Sequence, residues 1–310
     1  MRTSIALCTY NGEKYIREQL YSLLNQTILP NEIIICDDKS TDETINIIKR
    51  FSNENPNIFK IHINEKNIGT IKNFENAIYL TTGDIIFLSD QDDIWNSDKI
   101  EKMIAVFNIK QESLLVFSNG DIIDENGVRN DSTLWDKWSF TPEMKKKWMN
   151  NNLAFNDLFK NNNIVTGATI AFRKELKNHI LPINVPYEYW HDVWIALHAS
   201  GLNGLTFIEE SLIQYRIHPK QQIGIPESNF ISDNSHNFQN SVSKVEFFKS
   251  ISERYPKQSN DYFILEVISL SNEVIELQKR IFTIKKSKAY QLGKFLLKPL
   301  FFIRYQFIKK

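Results

Sequence analysis

The 310-residue chain contains only two cysteines, Cys8 and Cys36. Each lies inside an apolar run, which excludes the disulfide framework typical of small secreted domains and predicts buried free thiols in a reducing compartment. Long hydrophobic runs are missing as well. No window reaches the length of a membrane-spanning helix, and the apolar run near the N-terminus is too short for a signal peptide. We therefore predict a cytoplasmic protein.

Acidic residues are absent from the last part of the chain. The sequence has 37 basic and 37 acidic residues, yet no acid follows Glu276, and ten lysines and arginines lie in residues 277–310. This asymmetry indicates a partner. In residues 292–308, where Pro299 breaks any single helix, bulky apolar side chains interleave with basic ones, which favours a tail lying on the anionic inner membrane surface. Docking on the acidic body and a dimer contact are the alternatives. Nucleic acid is not predicted, because the tail has no recognised binding module.

The remaining composition is that of an ordinary soluble globular protein. The hydrophobic share is 42% and the charged share is 24%, so the chain has enough apolar residues to bury a full core. Its length suits one large domain or two modest ones. We predict an α/β domain at residues 1–219 and a helical extension with a basic amphipathic tail at residues 220–310.

Strand and helix patterns alternate through about the first ninety residues. Strands are predicted at residues 4–8, 32–36, 59–63 and 85–88. Helices are predicted at residues 14–26, after a cap at Ser40 or Thr41, and at residues 73–81. This alternation predicts a mostly parallel sheet flanked by helices.

The second half of the sequence is less regular. Strands are predicted at residues 114–118, 165–172 and 212–219, a hairpin at 121–128 with its turn at Asn126 and Gly127, and loops with short helices at 129–163. Helices are predicted at residues 192–200 and 242–284.

Polar side chains follow the predicted strands of the first half. The groups are Thr9, Tyr10 and Asn11, then Asp37 and Asp38, then Asn64, and finally Asp90, Gln91, Asp92 and Asp93. In open α/β sheets, ligands bind outside the carboxyl ends of the strands. We therefore expect these groups to meet in one crevice.

Three carboxylates, Asp90, Asp92 and Asp93, stand within four residues of one another and are followed by Trp95. Like charges at this density repel unless a cation lies among them. Oxygen ligands suit Mg²⁺ or Mn²⁺, which bind one or two carboxylates together with substrate phosphates. The sequence therefore favours a metal that holds a diphosphate, and a solvated acidic turn is the alternative.

Four motifs in this order resemble the inverting family 2 glycosyltransferases with a GT-A fold. They are C-T-Y-N-G, C-D-D-K-S-T-D-E-T, N-I-G-T-I-K-N-F and T-G-D-I-I-F-L-S-D-Q-D-D-I-W. The wording S-D-Q-D-D-I-W is similar to the bacterial rhamnosyltransferase-like branch. The resemblance covers roughly residues 1–219, and it implies a Rossmann-like, mostly parallel sheet flanked by helices, with a C-terminal helical extension.

The resemblance also implies roles for individual residues. Asp38 matches the aspartate that reads the nucleotide base, and Tyr10 stands where an aromatic ring stacks on that base. The implied donor site comprises Thr9, Tyr10, Asn11, Asp38, Gly69, Lys72, Asn73, Asp90 and Gly167. The implied metal ligands are Asp90, Asp92 and His218, with Mg²⁺ or Mn²⁺ as cofactor. From the residues alone, Asp37 and Asp38 are equally suited to satisfy free backbone N–H groups.

The acceptor side depends more heavily on the resemblance. Inversion requires one general base, and Asp192 in E-Y-W-H-D-V-W resembles the catalytic carboxylate of the family. Its structural alternative is a helix N-cap. For Gly167 the alternative is a strand bulge, and for His218 it is a satisfied structural histidine. The tryptophans Trp135, Trp138, Trp190 and Trp194 suit either sugar-stacking platforms or the core.

The resemblance implies transfer of a single sugar, because Y-R-I-H-P stands where processive members carry Q-x-x-R-W. D-Q-D-D-I-W favours dTDP-rhamnose as the nucleotide-diphosphate sugar donor. The implied acceptor is a glycan or a lipid-linked glycan of a bacterial surface polysaccharide, which is consistent with a peripheral location on the cytoplasmic face of the membrane.

Three other functions compete with glycosyl transfer. A nucleotidyltransferase with a similar α/β core would carry a Gly- and Arg-rich phosphate loop after the first strand, where this chain has T-Y-N-G-E. A D-x-D phosphatase would place its nucleophile at the end of that strand, which here is Thr9 and Tyr10. A non-catalytic sugar-binding or scaffold protein would keep the motifs without turnover.

Overall fold

The structure is a computed structural model of the chain. It describes residues 1–159, 164–186, 189–219, 221, 246–247, 249–257, 269, 272, 276–277, 279–284 and 286–287. The chain divides into two compact units, Met1–Ile231 and Ser232–Lys310. The domain boundary predicted after residue 219 remains a prediction.

Strand and helix alternate in the first part of the chain, as predicted. The elements are β1 (Thr3–Thr9), α1 (Ile16–Leu24), β2 (Glu32–Asp37), α2 (Thr44–Glu54), β3 (Phe59–Ile63), α3 (Thr70–Leu80), β4 (Ile85–Ser89), β5 (Ile94–Trp95) and α4 (Lys99–Ile109). Strands β1, β2 and β4 are buried along their whole length. Their near-continuous apolar sequences are typical of parallel strands covered on both faces.

The following part contains longer strands and short helices. The elements are β6 (Leu115–Ile123), β7 (Arg129–Thr133), α5 (Leu134–Lys137), α6 (Pro142–Trp148), α7 (Asn151–Phe159), β8 (Ile170–Arg173), α8 (Lys177–Ile180), α9 (His191–Gly201) and β9 (Leu205–Arg216), with 3₁₀ turns at Gly167–Thr169 and Lys174–Leu176. The predicted hairpin is confirmed, with Gly127 at φ 82° in the turn between β6 and β7.

Nine strands of the described chain form one sheet, in the order β3-β2-β1-β4-β8-β6-β9-β5, with β7 paired to β6. The pairs among β1 to β4 are parallel, as is β6 with β9, whereas β8 is antiparallel to both β4 and β6. The sheet is therefore mixed. Its register sets Thr9 beside Asp37 and Asp37 beside Ile63, so the carboxyl ends of the first three strands reach the same edge.

Glu32 joins the strands at the opposite edge of the sheet. Its buried carboxylate accepts hydrogen bonds from Ser4 Oγ at 2.6 Å, from the N–H of Thr82 at 2.6 Å and from Lys60 Nζ at 2.7 Å. Burial by itself would raise the pKa of Glu32, but these donors outweigh it and lower the pKa to about 2. One charged side chain thus connects β1, β2, β3 and the turn before β4.

Three predictions of local structure were wrong. Neither Ser40 nor Thr41 caps α2, which begins at Thr44, because the Ser40 hydroxyl donates to Asp37 Oδ2 instead. The strand predicted at 165–172 begins only at Ile170, after a 3₁₀ turn. The helix predicted at 242–284 is interrupted at residues 255–257, where Pro256 disfavours helical backbone before it.

No helix in the described part of the chain is long and apolar enough to cross a membrane. In the second unit, the described residues Leu277, Ile281 and Ile284 are each more than half exposed and are spaced at one face of a helix. The predicted membrane-binding segment, residues 292–308, lies outside the described residues. The two cysteines are free and buried, as predicted.

Candidate active site

The polar groups that follow β1, β2 and β4 lie together, as the sequence predicted. Thr9 Oγ1 donates to Asp37 Oδ2 at 2.8 Å. The side-chain amide of Gln91 binds the backbone of Tyr10 on both sides, with Oε1 accepting from the Tyr10 N–H at 2.8 Å and Nε2 donating to the Tyr10 carbonyl at 3.0 Å. Tyr10 keeps 38% of its surface exposed, so its ring is accessible for stacking. Segments about eighty residues apart thus form one wall of the site.

Asp38 is buried, and both of its carboxylate oxygens accept protein hydrogen bonds. Oδ1 accepts from Asn64 Nδ2 at 2.9 Å and from the N–H of Ile68 at 2.8 Å, and Oδ2 accepts from the N–H of Gly69 at 2.8 Å. The carboxylate thereby holds the loop that leads into α3. A carboxylate has about four acceptor positions, so Asp38 can still accept one further bond from a ligand.

Asp37 is satisfied in a different way. It accepts from the N–H of Ser40 at 2.8 Å and from the hydroxyl groups of Thr9 and Ser40. The alternative of a helix-leading acid pair is therefore met only in part, since Asp37 holds one backbone N–H group and Asp38 holds two, in the loops that lead into α2 and α3. The base-reading role of Asp38 remains a prediction that is compatible with this arrangement.

The other donor-site candidates on α3 differ from one another. Asn73 is buried and supports the Asp38 loop, because its Nδ2 donates to the carbonyl of Cys36 at 2.7 Å and its Oδ1 accepts from Asn64. Lys72 is exposed and pairs with Glu75 at 3.0 Å. Gly69 has φ 84°, a conformation that favours glycine.

The acidic run forms a cluster that Asp192 joins. Burial raises the pKa of Asp90, and the carboxylates of Asp92 and Asp192 raise it further. Burial also raises the pKa of Asp93 well above its ordinary value, followed by the charges of Asp92 and Asp90. Asp93 Oδ2 is buried without a hydrogen-bond partner. Asp192, about one hundred residues away in sequence, thus lies within electrostatic reach of Asp90.

Two of the three predicted metal ligands contact each other directly. His218 Nε2 lies 2.9 Å from Asp92 Oδ2, and the His218 ring packs against Tyr15 with centroids 4.8 Å apart. In the described part of the chain, no three His, Cys, Asp or Glu side chains converge closely enough to hold a metal ion by themselves. The donor set nevertheless suits a hard cation that takes its remaining ligands from diphosphate oxygens and water.

Asp192 is the second residue of α9, and the N-cap is Trp190, so the N-cap alternative for Asp192 is wrong. Asp192 Oδ1 accepts from the N–H of Val193 at 2.7 Å. Gly167 packs directly on this region, since an added Cβ would lie 3.0 Å from His191 Nε2 and 3.7 Å from Asp192 Cβ. The strand-bulge alternative for Gly167 is replaced by a 3₁₀ turn.

His191 is a residue of this site that the sequence did not identify. It is buried, its ring stacks on Phe74 with centroids 4.0 Å apart, and neither ring nitrogen has a hydrogen-bond partner. Burial lowers the pKa of His191 to about 3, so the ring is neutral at physiological pH.

Lys99 is a second residue that was missed. It is fully buried, its Nζ donates to the carbonyl of Ala168 at 2.6 Å and lies 3.7 Å from the centroid of the Trp95 ring. Burial lowers the pKa of Lys99 to about 7, against the opposing charges of Asp93 and Asp90. The sequence contained a signal for Lys99. Three neighbouring carboxylates need a nearby cation, and Lys99 follows Asp93 by only six residues.

The sequence did not identify Tyr215 and Arg216 either, since Y-R-I-H-P indicated only a metal-ligand histidine and the absence of Q-x-x-R-W. Burial raises the pKa of Tyr215 well above its ordinary value, and the charges of Asp93, Asp90, Asp92 and Asp192 raise it further. Tyr215 therefore lies close to the whole acidic cluster.

The tryptophans divide between core and partly exposed positions. Trp135 packs against Phe140 with centroids 4.9 Å apart, and Trp194 donates to the carbonyl of Ile180 at 2.8 Å, so both belong to the core. Trp138 and Trp190 are half-buried.

A groove with a volume of about 460 Å³ opens beside the hairpin between β6 and β7. Its lining residues are Ile122, Ile123, Asp124, Val128, Arg129, Asn130, Asp131 and Ile217. Ile217 directly precedes His218. The groove therefore lies at the same end of β6 and β9 as the predicted metal ligands.

The chain is similar in sequence to known proteins. The family model described as Glycosyl transferase family 2 matches residues 4–181. The chain is 40% identical over 126 residues to the dTDP-rhamnosyl transferase RfbG of Shigella flexneri, covering 39% of this chain and 41% of RfbG. It is 27% identical over 216 residues to the UDP-Glc:alpha-D-GlcNAc-diphosphoundecaprenol beta-1,3-glucosyltransferase WfgD of Escherichia coli, covering 69% of this chain and 76% of WfgD.

Two further relatives, from Nostoc sp. and Mycobacterium bovis, are matched over only 65% and 58% of their own length. Among solved structures, S. aureus TarS 1–349 in complex with UDP-GlcNAc superposes with a TM-score of 0.56 at 19% identity, covering 81% of this chain and 66% of TarS. This likeness concerns the fold alone, and it agrees with the GT-A fold expected from the sequence.

Proposed function

Because the chain belongs to glycosyl transferase family 2, we propose that it transfers one sugar from a nucleotide-diphosphate sugar to a glycan acceptor, with inversion and with the help of a divalent metal. The observation that carries this proposal is the acidic cluster at the carboxyl edge of the sheet. There Asp92 contacts His218 at 2.9 Å, and Asp192 lies within electrostatic reach of Asp90.

The donor would bind along the edge formed by β1, β2 and β4. The exposed ring of Tyr10 is available to stack on the base, and Asp38 has one acceptor position left for a base N–H. Asp92 and His218 would hold Mg²⁺ or Mn²⁺, which neutralises charge that develops on the leaving diphosphate. The unpartnered oxygen of Asp93 and the mutual repulsion of the cluster favour a cation at this place.

Asp192 would act as the general base that takes the proton from the attacking acceptor hydroxyl. Its carboxylate raises the pKa of Asp90, as the carboxylate of Asp92 does, so it lies near the acidic run although it is distant in sequence. Its neighbour His191 is suited to a neutral role, since its pKa of about 3 keeps the ring uncharged. Gly167 leaves room beside both residues.

For the sugar we propose rhamnose carried by dTDP. This is supported by the S-D-Q-D-D-I-W motif and by the 40% identity to RfbG, which is named as a dTDP-rhamnosyl transferase. The matched part covers less than half of either chain.

For the acceptor we propose a lipid-linked glycan at the cytoplasmic face of the membrane. WfgD is named for a diphosphoundecaprenol-linked acceptor. The ten basic residues and no acids of residues 277–310 suit an anionic lipid surface. The exposed Leu277, Ile281 and Ile284 add an apolar component. The groove beside β6 and β7 is available to the acceptor sugar.

Calorimetric titration with dTDP, UDP and GDP, with and without Mn²⁺, tests the donor proposal. We expect one nucleotide to bind in a metal-dependent way, and Asp92→Asn to abolish that dependence. Asp192→Asn should keep nucleotide binding and lose turnover, measured as nucleoside diphosphate released from the sugar nucleotide. Asp98→Asn, which changes a surface pair with Lys102, is the matched control. Binding without turnover in the unmodified chain would favour a sugar-binding protein, and no binding at all would refute the proposal.

Sedimentation with lipid vesicles tests the membrane proposal. The full chain should bind phosphatidylglycerol vesicles, bind phosphatidylcholine vesicles poorly, and be released by salt, because surface electrostatics are screened. A chain ending at residue 276 should lose this binding while keeping nucleotide affinity. Equal binding of the two chains would contradict the role of the tail.

A further inference from the structure

Arg216, the last residue of β9, is a buried cation that the proposed reaction does not use. Its side chain is 2% exposed. Its Nε donates to the carbonyl of Asp92 at 2.8 Å, and its Nη1 donates to the carbonyl of Asp124 at 3.3 Å. Its Nη2 pairs with the carboxylate of Glu18 on α1. The guanidinium thus connects three segments that are far apart in sequence.

The backbone of Arg216 holds the acidic run as well. Its N–H donates to Asp93 Oδ1 at 3.0 Å. Together with the bond from Nε to the Asp92 carbonyl, this fixes two consecutive residues of the run against the end of β9. His218 lies two residues after Arg216, just beyond the end of β9, and its Nε2 is 2.9 Å from Asp92 Oδ2. Arg216 therefore holds the backbone carbonyl of Asp92, while His218 contacts the side-chain carboxylate of the same residue.

Tyr15 of the loop before α1 completes the arrangement. The guanidinium lies 4.6 Å from the centroid of the Tyr15 ring, and the His218 ring packs on the same tyrosine at 4.8 Å. The two residues are thus held by one aromatic surface. A planar guanidinium suits this place because it stacks on a ring while donating in several fixed directions, which a lysine ammonium does not do.

We propose that Arg216 is a positioning residue that sets Asp92 and His218 in the geometry needed to bind a divalent metal together with a nucleoside diphosphate. This inference rests on the proposed function, since it concerns the same site. The carboxylate of Glu18 offsets the desolvation cost of burying the Arg216 guanidinium. Removing either partner of such a pair leaves an uncompensated charge. The hydrogen bond from Arg216 Nη1 to the carbonyl of Asp124 also connects Arg216 to the groove beside the hairpin, because Asp124 lines that groove.

Arg173 provides a matched control. It also uses one guanidinium to hold two backbone carbonyls, donating from Nε to Ser113 at 2.8 Å and from Nη2 to Phe107 at 2.7 Å, and it lies over the Phe107 ring. None of these contacts involves the acidic cluster. Arg216→Lys and Arg173→Lys therefore remove the same kind of packing, one beside the metal-ligand pair and one remote from it.

The experiment measures Mn²⁺ affinity in the presence of dTDP, UDP or GDP by electron paramagnetic resonance of free Mn²⁺. It also measures nucleotide affinity without metal by calorimetry and thermal stability by scanning. We expect Arg216→Lys to weaken Mn²⁺ binding about 10- to 100-fold, the range found when groups that orient metal ligands are changed. Its metal-free nucleotide affinity should stay within about twofold, because Asp38 and Tyr10 are untouched.

Arg173→Lys should lower the melting temperature without changing Mn²⁺ affinity. Glu18→Gln, which keeps the arginine but removes its counter-ion, should weaken Mn²⁺ binding less than Arg216→Lys does. If both arginine variants lower stability and neither changes Mn²⁺ affinity, Arg216 is a structural residue and the inference is wrong. If the unmodified chain binds no nucleotide with Mn²⁺, the proposed function itself fails, which is a distinguishable result.

Discussion

Asp38 holds the loop before α3 and is proposed to read the nucleotide base, and substitution of Asp38 tests both roles. Its carboxylate accepts one side-chain and two backbone hydrogen bonds, from Asn64, Ile68 and Gly69. In Asp38→Asn, one oxygen becomes an NH₂ group. If it takes the place of Oδ2, it faces the N–H of Gly69, so two donors confront each other and the backbone group is left without an acceptor.

The expected magnitude follows from these three bonds. Leaving the Gly69 N–H unsatisfied costs about 1–3 kcal/mol, and each of the two remaining bonds weakens by about 1 kcal/mol when its acceptor loses its charge. Asp38→Asn should therefore lower the free energy of unfolding by about 3–5 kcal/mol. It should also weaken nucleotide binding, because the loop that it holds leads directly into α3 at Thr70.

Asp37→Asn is the matched control one residue away. Two of the three donors to Asp37 are the hydroxyl groups of Thr9 and Ser40, which can rotate and accept from an NH₂ group instead. Only the bond from the N–H of Ser40 loses a charged acceptor. The cost should be about 1–2 kcal/mol, with nucleotide affinity retained.

Urea unfolding at pH 7, followed by tryptophan fluorescence, measures the stability of both variants, and calorimetry measures their nucleotide affinity. An Asp38→Asn cost equal to or below that of Asp37→Asn would refute the hydrogen-bond reasoning. Equal nucleotide affinity in the two variants would refute the binding role of Asp38 while leaving its structural role intact.

Two further predictions concern the edge of the sheet opposite the site and the packing beside Asp192. Glu32→Gln should lower the free energy of unfolding by about 3 kcal/mol at pH 7, which corresponds to a pKa lowered from its ordinary 4.5 to about 2. Because the folded-state pKa is the lower one, this contribution is complete above about pH 4.5 and is lost as the pH falls toward 2, so the difference between the two proteins should roughly halve by pH 3 in urea titrations. A difference that is independent of pH would contradict the role of the charge. Gly167→Ala should cost about 1–3 kcal/mol and reduce turnover, since its Cβ would press on the buried His191 ring at 3.0 Å beside Asp192. Gly83→Ala, whose Cβ would lie 2.8 Å from the backbone nitrogen of Ser4 at the opposite edge of the sheet, should cost about 1–3 kcal/mol without affecting turnover, and equal turnover in the two alanine variants would contradict the packing argument.

The contrast between Asp38 and Arg216 shows how far the sequence reaches. Asp38 was identifiable because it ends a buried strand, and the ends of parallel strands converge whatever the intervening helices are. Arg216 was not identifiable, because its partners Asp92 and Glu18 are 124 and 198 residues away in the chain. No local periodicity encodes a contact of that length.

Local errors have a similar origin. Ser40 has the composition of a helix cap, but a nearby buried carboxylate competes for its hydroxyl and α2 begins four residues later. The segment 165–172 has strand composition throughout, yet its first residues turn, and Lys99 from α4 holds the carbonyl of Ala168 within that turn. In both cases a tertiary partner determined a backbone that propensity alone assigned differently.

The sequence by itself determined the parallel first half of the sheet and the edge at which its polar residues gather, whereas Asp192 was identified through the resemblance. These follow from the twofold and 3.6-fold periodicities and from the rule that ligands bind at strand ends. The tertiary structure alone decided that β8 enters antiparallel between β4 and β6, and that Lys99 and Arg216 are buried beside the acids. Those outcomes depend on long-range packing and on the cost of burying charge. A buried cation must be paired, and its partners here come from residues that are distant in the sequence.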